Sequence, residues 1–221
     1  MDEIRLTTFQ NIVLPNLDQL SLVILVVLLY LTAAASFRRE EEEEEKEKKE
    51  SKWKYDVFIS FRGEIRCGFS DHLLAALKGE SIRTFRDDEN LPKGEVIRPE
   101  LLKAIRTSRI AIVVFSKNYA TSDWCLNELV EILSCKRRLN QKVLPIFLRV
   151  PPCDVREQKG KFGKPLPQAD ERKMKRWKTA LTKAGALAGL ELKPNRREAL
   201  FVKDIVMHVS EMLNEISAIA V

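Results

Sequence analysis

Glu128 follows Trp124 by four residues in the run Trp124-Cys125-Leu126-Asn127-Glu128-Leu129. On a helix that spacing puts an aromatic plane and an acid on one face, a turn apart. Such a pair can hold a flat ring and stabilise positive charge on a sugar beside it. Each residue also has a plain alternative. A glutamate on an exposed helix face usually only meets water, Glu131 is the natural decoy nearly one turn on, and Trp124 can equally be a core anchor. Cys125 has no histidine beside it to make a nucleophile pair, since His72 and His208 fall on other predicted helices. Cys67, Cys125, Cys135 and Cys153 show no metal-ligand spacing, so no metal site is expected.

The carboxylate can act only if the fold carries it to a strand end. From Trp53 onward, short apolar runs alternate with helical periodicity. Tyr55 to Ser60 reads as a strand that ends in Ser60-Phe61-Arg62-Gly63, and Phe69 to Leu77 as a helix. Ile82 to Phe85 is a second strand, followed by a polar loop from Arg86 to Arg98 with Pro92 and Gly94 supplying a turn. Pro99 suits the first position of a helix reaching Ile105. Ile110 to Phe115 is a central strand, Trp124 to Cys135 a helix capped by Ser122 or Asp123, and Val143 to Leu148 a fourth strand. An irregular stretch, a basic helix at Lys173 to Ala186, a short edge strand at Leu190 to Leu192 and an amphipathic helix at Ala199 to Leu213 complete the chain. The expectation is an α/β, flavodoxin-like fold: a parallel sheet with helices on both faces. Active groups then collect at the carboxyl ends of strands, at Ser60 to Arg62, Phe85 to Asp88 and Phe115 to Ser122. The pair Asp87-Asp88 suggests a phosphoacceptor pocket, but that chemistry needs an Asp at the end of the central strand, where Phe115-Ser116 stand.

The first fifty residues are of another kind. Leu20 to Ala35 is almost purely apolar and, with Leu17 and Phe37 as flanks, reaches the lower limit for a bilayer-spanning helix. A signal peptide is the rival, because Ala33-x-Ala35 resembles a cleavage site; against it, no basic region precedes the apolar run. Arg38-Arg39 follows it, which keeps the downstream chain in the cytosol. Residues 1–37 are therefore expected to be a single-pass membrane anchor, inserted through 17–37, with 38–52 a charged spacer. Residues 53–213 form the domain and 214–221 a tail. The net charge is +6, but 32% of residues are charged with both signs mixed, which marks a soluble surface better than a nucleic-acid binder. The basic cluster from Lys159 to Lys183, with Trp177 inside it, carries interspersed acids and reads as a solvated face; no specific nucleic acid is expected.

The stretches YDVFISFRGE, FRDDENLPKGEVIRPELLKAI, SRIAIVVFSKNYATSDWCLNELVEIL and KVLPIF resemble, in order and separation, the Toll/interleukin-1 receptor (TIR) domain as plants carry it. The resemblance runs from about Trp53 to Leu213, without a nucleotide-switch P-loop or leucine-rich repeat, and so is to a TIR-only protein. It implies cleavage of NAD+ at the nicotinamide–ribose bond for plant immune signalling, with NAD+ as substrate and no cofactor. Nicotinamide leaves a cationic ring as a neutral molecule, so a second carboxylate acting as general acid is not required. The resemblance makes Glu128 catalytic, Trp124 an aromatic wall, and Arg62 with Gly63 the substrate contact after the first strand. The loop from Asp87 through Asp88 to Gly94 resembles the BB loop, which in the family shapes the site and joins in assembly with other TIR domains. The alternative it leaves is a non-catalytic adaptor that pairs with other TIR proteins.

Three departures stand out. Ser60-Phe61-Arg62-Gly63-Glu64 is followed by Ile65-Arg66 where the family has D-T-R, one residue longer. The Ser-His pair that relatives use at a symmetric interface reads Asp71-His72. After the fourth strand the family's D-V-D-P-S-x-V-R reads Arg149 to Arg156, and the stretch from Phe162 to Met174 is short, so a second assembly surface near Gly160 and Phe162 is expected to be rebuilt.

Overall fold

Five strands, rich in β-branched and aromatic residues and covered on both faces, make an all-parallel sheet. The computed structural model describes residues 27–32, 34–35, 38, 53–85 and 99–219. It divides into two units, Met1–Glu50 and Ser51–Val221. In the first, residues 27–32 are helical and Val27 to Leu31 are exposed. The expected anchor over 17–37 falls mostly outside the described residues, and among those described no helix is long and apolar enough to cross a membrane.

The second unit holds β1 (Tyr55–Phe61), α1 (Asp71–Gly79), β2 (Thr84–Phe85), α2 (Pro99–Arg106), β3 (Ser108–Phe115), α3 (Asp123–Leu139), β4 (Lys142–Leu148), α4 (Pro152–Glu157), α5 (Glu171–Gly185), β5 (Leu190–Leu192) and α6 (Glu198–Ile219). The sheet order is β2-β1-β3-β4-β5, the flavodoxin-like arrangement. Alternation along β1 sends Val57 and Ile59 to one face and Phe58 to the other. The first face packs under α1 and α6 through Leu73, Leu77, Phe201, Ile205 and Val209. The second packs under α2, α3 and α5 through Leu101, Ile105, Leu126, Leu129, Ile132, Trp177 and Leu181. β3 lies between β1 and β4 and is buried at every position except Arg109.

Element boundaries move where tertiary pairing decides them. The second strand begins at Thr84, because Ile82 is drawn into the core under α1 and pairing with β1 starts at Val57 and Thr84. Helix α3 continues to Leu139 and ends at Asn140 in the left-handed conformation, with Lys136, Arg137 and Arg138 at its negative end. Between β4 and α5 the expected irregular stretch contains α4, started by Pro152, and a 3₁₀ turn at Gly160–Phe162; both are too short to leave a periodic signal. Helix α6 runs to Ile219, past the expected end at Leu213, since Ile216 still packs on the core.

Asp56, on the second residue of β1, pins the strand to the start of the next. Its carboxylate accepts the Arg83 main-chain N–H at 3.0 Å and two guanidinium N–H groups at 3.0 and 2.9 Å, with Arg109 Nε 3.8 Å away. Burial works to raise this carboxyl, but the bonds and charge of Arg83, with the charge of Arg109, hold it below the usual range. A carboxyl lowered on folding stabilises the fold above its unfolded range, and that contribution is lost as pH falls through the folded value. Asp56→Asn therefore costs about 1 kcal/mol near neutral pH. The difference from the parent shrinks as the pH is taken from neutral into the acid range, through the folded value. Urea titrations at neutral and acid pH check this; a gap that is independent of pH would remove the ionic explanation.

Candidate functional site

The chain leaves β1 towards one edge of the sheet and β3 towards the other, so their carboxyl ends flank the switch point where this architecture opens a crevice. Helix α3 begins beside it. After β3 a 3₁₀ turn at Tyr119–Thr121 leads to Ser122, whose hydroxyl accepts the Cys125 N–H at 3.3 Å and caps α3. The inward stripe of α3 is Cys125, Leu126, Glu128, Leu129, Ile132 and Cys135.

Glu128 belongs to that stripe and is 5% exposed, which corrects the expectation of a solvated helix position. The helical spacing from Cys125 through Leu129 to Ile132 already points that side of the helix inward. Only the polarity of Glu128 argued otherwise. Ser60, at the carboxyl end of β1 and 1% exposed, donates its hydroxyl hydrogen to Glu128 Oε2 at 2.6 Å. Ser60 Oγ lies 2.9 Å from the Tyr119 hydroxyl, which donates to the Cys125 carbonyl at 3.0 Å. Burial first, then Cys125 and Glu128, push the Tyr119 phenol well above its ordinary range, against the bond from Ser60. Ser60 and Tyr119 were not singled out in the sequence. The available signal was a serine among the apolar residues of a buried strand, which must find a partner.

The other expected residues fall out as follows. Arg62, half-buried at the exit of β1, brings its positive charge near Cys125. Burial and the neighbouring Glu128 nevertheless raise the Cys125 thiol to about 12, which rules it out as a nucleophile at neutral pH. Trp124 is half-buried and packs against the core beside α3, so its anchoring role is real, while part of it stays accessible one turn from Glu128. Gly63 is exposed with open space where a side chain would stand. Asp87, Asp88 and Gly94 lie outside the described residues.

Glu64, in the shortened loop after β1, accepts hydrogen bonds from Ser116 Oγ at 2.8 Å and from Asn118 Nδ2, and Lys164 Nζ donates to Asn118 Oδ1 at 2.6 Å. This clasp joins the exits of β1 and β3 to the segment before α5. The loop itself is a 3₁₀ turn at Gly63–Ile65 and a wound segment broken at Cys67 and Gly68.

The expected interface residues stand on other elements. Asp71 opens α1, where an acid complements the helix N-terminus, and His72 next to it is exposed. Gly160 has φ +56, and a Cβ there would stand 2.3 Å from an Asp154 carboxylate oxygen. The left-handed backbone is what favours glycine at that position, since the Asp154 side chain can swing aside. Trp177, inside the basic cluster, is 1% exposed, with its indole N–H on Asn127 Oδ1 at 2.9 Å. It is a core residue, and the cations around it face outward.

Comparison with known proteins agrees with this geometry. The disease resistance protein RPV1 of Vitis rotundifolia is 50% identical over 163 residues, 72% of this chain and 12% of its own length. The TMV resistance protein N of Nicotiana glutinosa is 46% identical over 174 residues, 76% of this chain and 15% of its own length. The chain thus spans a small part of the relatives it matches. Among solved structures, the TIR domains of the activated Roq1 resistosome, which recognises the pathogen effector XopQ, superpose with a TM-score of 0.62 at 41% identity, over 70% of this chain and 99% of that one. The profile of the TIR domain family itself runs from residue 54 to residue 220. A match of that extent, on a sheet of that order, means that the chain belongs to the TIR domain family, in the form found in plant disease-resistance proteins.

Proposed function

We propose that this TIR domain is an NAD+ glycohydrolase of plant defence signalling, activated when TIR domains assemble, with Glu128 as its catalytic residue. The observation that carries the reading is a carboxylate buried at the switch point of the sheet and held there by a hydroxyl from β1. Burying an acid is costly, and a domain that keeps one at the open end of its strands has a use for it. In the proposed reaction the bond between the pyridine nitrogen and ribose C1′ breaks. Its electron pair goes to the ring nitrogen, and nicotinamide leaves neutral. Positive charge develops on the ribose, where Glu128 stabilises it in a medium of low dielectric. Water adds at C1′ and releases a proton, giving ADP-ribose; attack by a nucleophile within the same molecule gives a cyclic product. In this reading Trp124 walls the ring, and Arg62 with Gly63 supplies the polar contact to the substrate after the first strand.

The test is NAD+ loss by the full chain, dilute and then crowded at high concentration. The expected result is slow turnover when dilute and much faster turnover per molecule when crowded. No turnover under either condition would remove the enzymatic reading.

A second reading, a non-catalytic adaptor that pairs with other TIR proteins, is favoured by Asp71. Were two copies of this half-buried acid to meet across a two-fold axis, they would repel by a few tenths to about 1 kcal/mol. Sedimentation across a salt series separates the possibilities. Asp71→Ser is expected to associate more strongly than the parent, with the parent's deficit relieved by salt. Equal, salt-independent association in both proteins would place Asp71 outside the contact.

A further inference from the structure

We propose that Ser60 and Tyr119 are positioning residues for Glu128, forming a chain of hydroxyl donors that runs from the 3₁₀ turn through β1 and ends on the carboxylate. The inference rests on the reading of Glu128 as the catalytic group. It goes beyond that reading in assigning the group's orientation and charge to two residues on other elements.

The geometry is a line of oxygens. Tyr119 Oη is 2.9 Å from Ser60 Oγ, and Ser60 Oγ is 2.6 Å from Glu128 Oε2. The second separation is short, as for a hydroxyl donating to a carboxylate. All three side chains are at most 5% exposed, so water does not substitute for a missing link. Two hydroxyl hydrogens serve three contacts. The Ser60 hydrogen points to Glu128, which leaves the Tyr119 hydrogen to divide between Ser60 Oγ and the Cys125 carbonyl at 3.0 Å. When it points to Ser60, each bond polarises the next and donation to the carboxylate strengthens. The parts are rigid. Ser60 is fixed by the pairing of β1 with β3, opposite Val113. The Tyr119 ring meets the Phe115 ring edge-on, with centroids 4.9 Å apart. Its raised phenol keeps it a donor across the working pH range. Ionisable groups whose fields meet here include Cys125, on the same helix as Glu128, and Arg62, at the exit of β1.

The consequence is a directional dependence. Tyr119 acts only through Ser60, so removing both residues costs no more than removing Ser60. Two residues in contact are non-additive whatever their role, so the distinguishing reading is the Glu128 carboxyl itself, which a role in packing alone leaves where it was.

The experiment uses the full chain and four variants: Ser60→Ala, Tyr119→Phe, the double variant and Ser60→Thr. Ser60→Ala is expected to lower kcat for NAD+ roughly ten- to a hundredfold with KM within about twofold, as for the loss of one bond to a charged group. Tyr119→Phe, which removes a single oxygen, is expected to lower it roughly threefold or more. The double variant should match Ser60→Ala, and Ser60→Thr, which restores the hydroxyl, should recover most of the rate. A second readout needs no turnover: a carbon-13 titration of the Glu128 carboxyl without NAD+. Its midpoint should move up by about one unit in Ser60→Ala and by less in Tyr119→Phe, because the ionised form loses its donor. These shifts in a chain that cleaves no NAD+ would support the donor chain and remove only the enzymatic reading. A midpoint unchanged in Ser60→Ala, or losses that add in the double variant, would overturn the proposal.

Discussion

Glu128→Ala is expected to lower NAD+ turnover by about three orders of magnitude or more, since the only charge proposed to oppose the developing cation is gone. The same substitution is expected to cost about 1–2 kcal/mol of stability, because Glu128 is buried and bonded to Ser60 and its removal leaves that hydroxyl to find another acceptor. An exposed glutamate would have cost almost nothing. Glu128→Gln separates the two effects, for it keeps the size and the hydrogen bond while losing the charge, and should be inactive yet nearly as stable as the parent. Glu131 supplies the control. It pairs with Arg106 at 2.7 Å and with Arg138 at 3.8 Å, which makes it a link between α2 and α3. Glu131→Ala should keep its turnover. Progress curves of NAD+ loss with matched urea titrations decide the matter, and activity retained in Glu128→Ala but lost in Glu131→Ala would transfer the role to the other acid.

Trp177→Ala should be the most destabilising single change discussed here, at about 3–5 kcal/mol, a large part of the stability of an ordinary domain. The indole fills the space between α5 and α3 and is one of the largest fully buried side chains, and its N–H satisfies Asn127. Trp177→Phe keeps most of the volume but strands the Asn127 amide oxygen, for about 1–2 kcal/mol. Urea midpoints for the three proteins check the order. A Trp177→Ala midpoint close to the parent's would show that the indole does not carry the packing of α5 on α3.

Much of the scaffold is written locally. Ile110 to Phe115 and Val143 to Leu148 are continuous apolar runs of strand length, and Ser122 before an apolar-periodic stretch announces the start of α3, so the parallel sheet and the helix that enters its switch point follow from short-range chemistry. What failed to show depends on distant partners. Glu128 reads as solvated because its partner Ser60 lies 68 residues earlier, and only closure of the sheet brings the two together. Glu64 likewise meets Ser116 across 52 residues. Trp177 looked like part of a cationic surface because its neighbours in sequence are lysines and arginines, whereas one position in a turn of helix is enough to bury it. The role proposed for Glu128 rests on a motif; its burial was present in the period of the helix and was outweighed by its charge.

The sulfur atoms of this protein fall into two populations. Cys67 and Cys153 are exposed, whereas Cys125 and Cys135 are buried, with thiols raised to about 12 and about 11. At neutral pH Cys125 is then held almost wholly as the thiol. Among the four thiols, peroxide and electrophiles are expected to meet the two outer ones first, while desolvation and the field of a neighbouring acid disfavour oxidation of the one beside the carboxylate. If Glu128 does the proposed chemistry, it does so in surroundings quiet towards oxidants, where an active site built on a thiolate would be switched off.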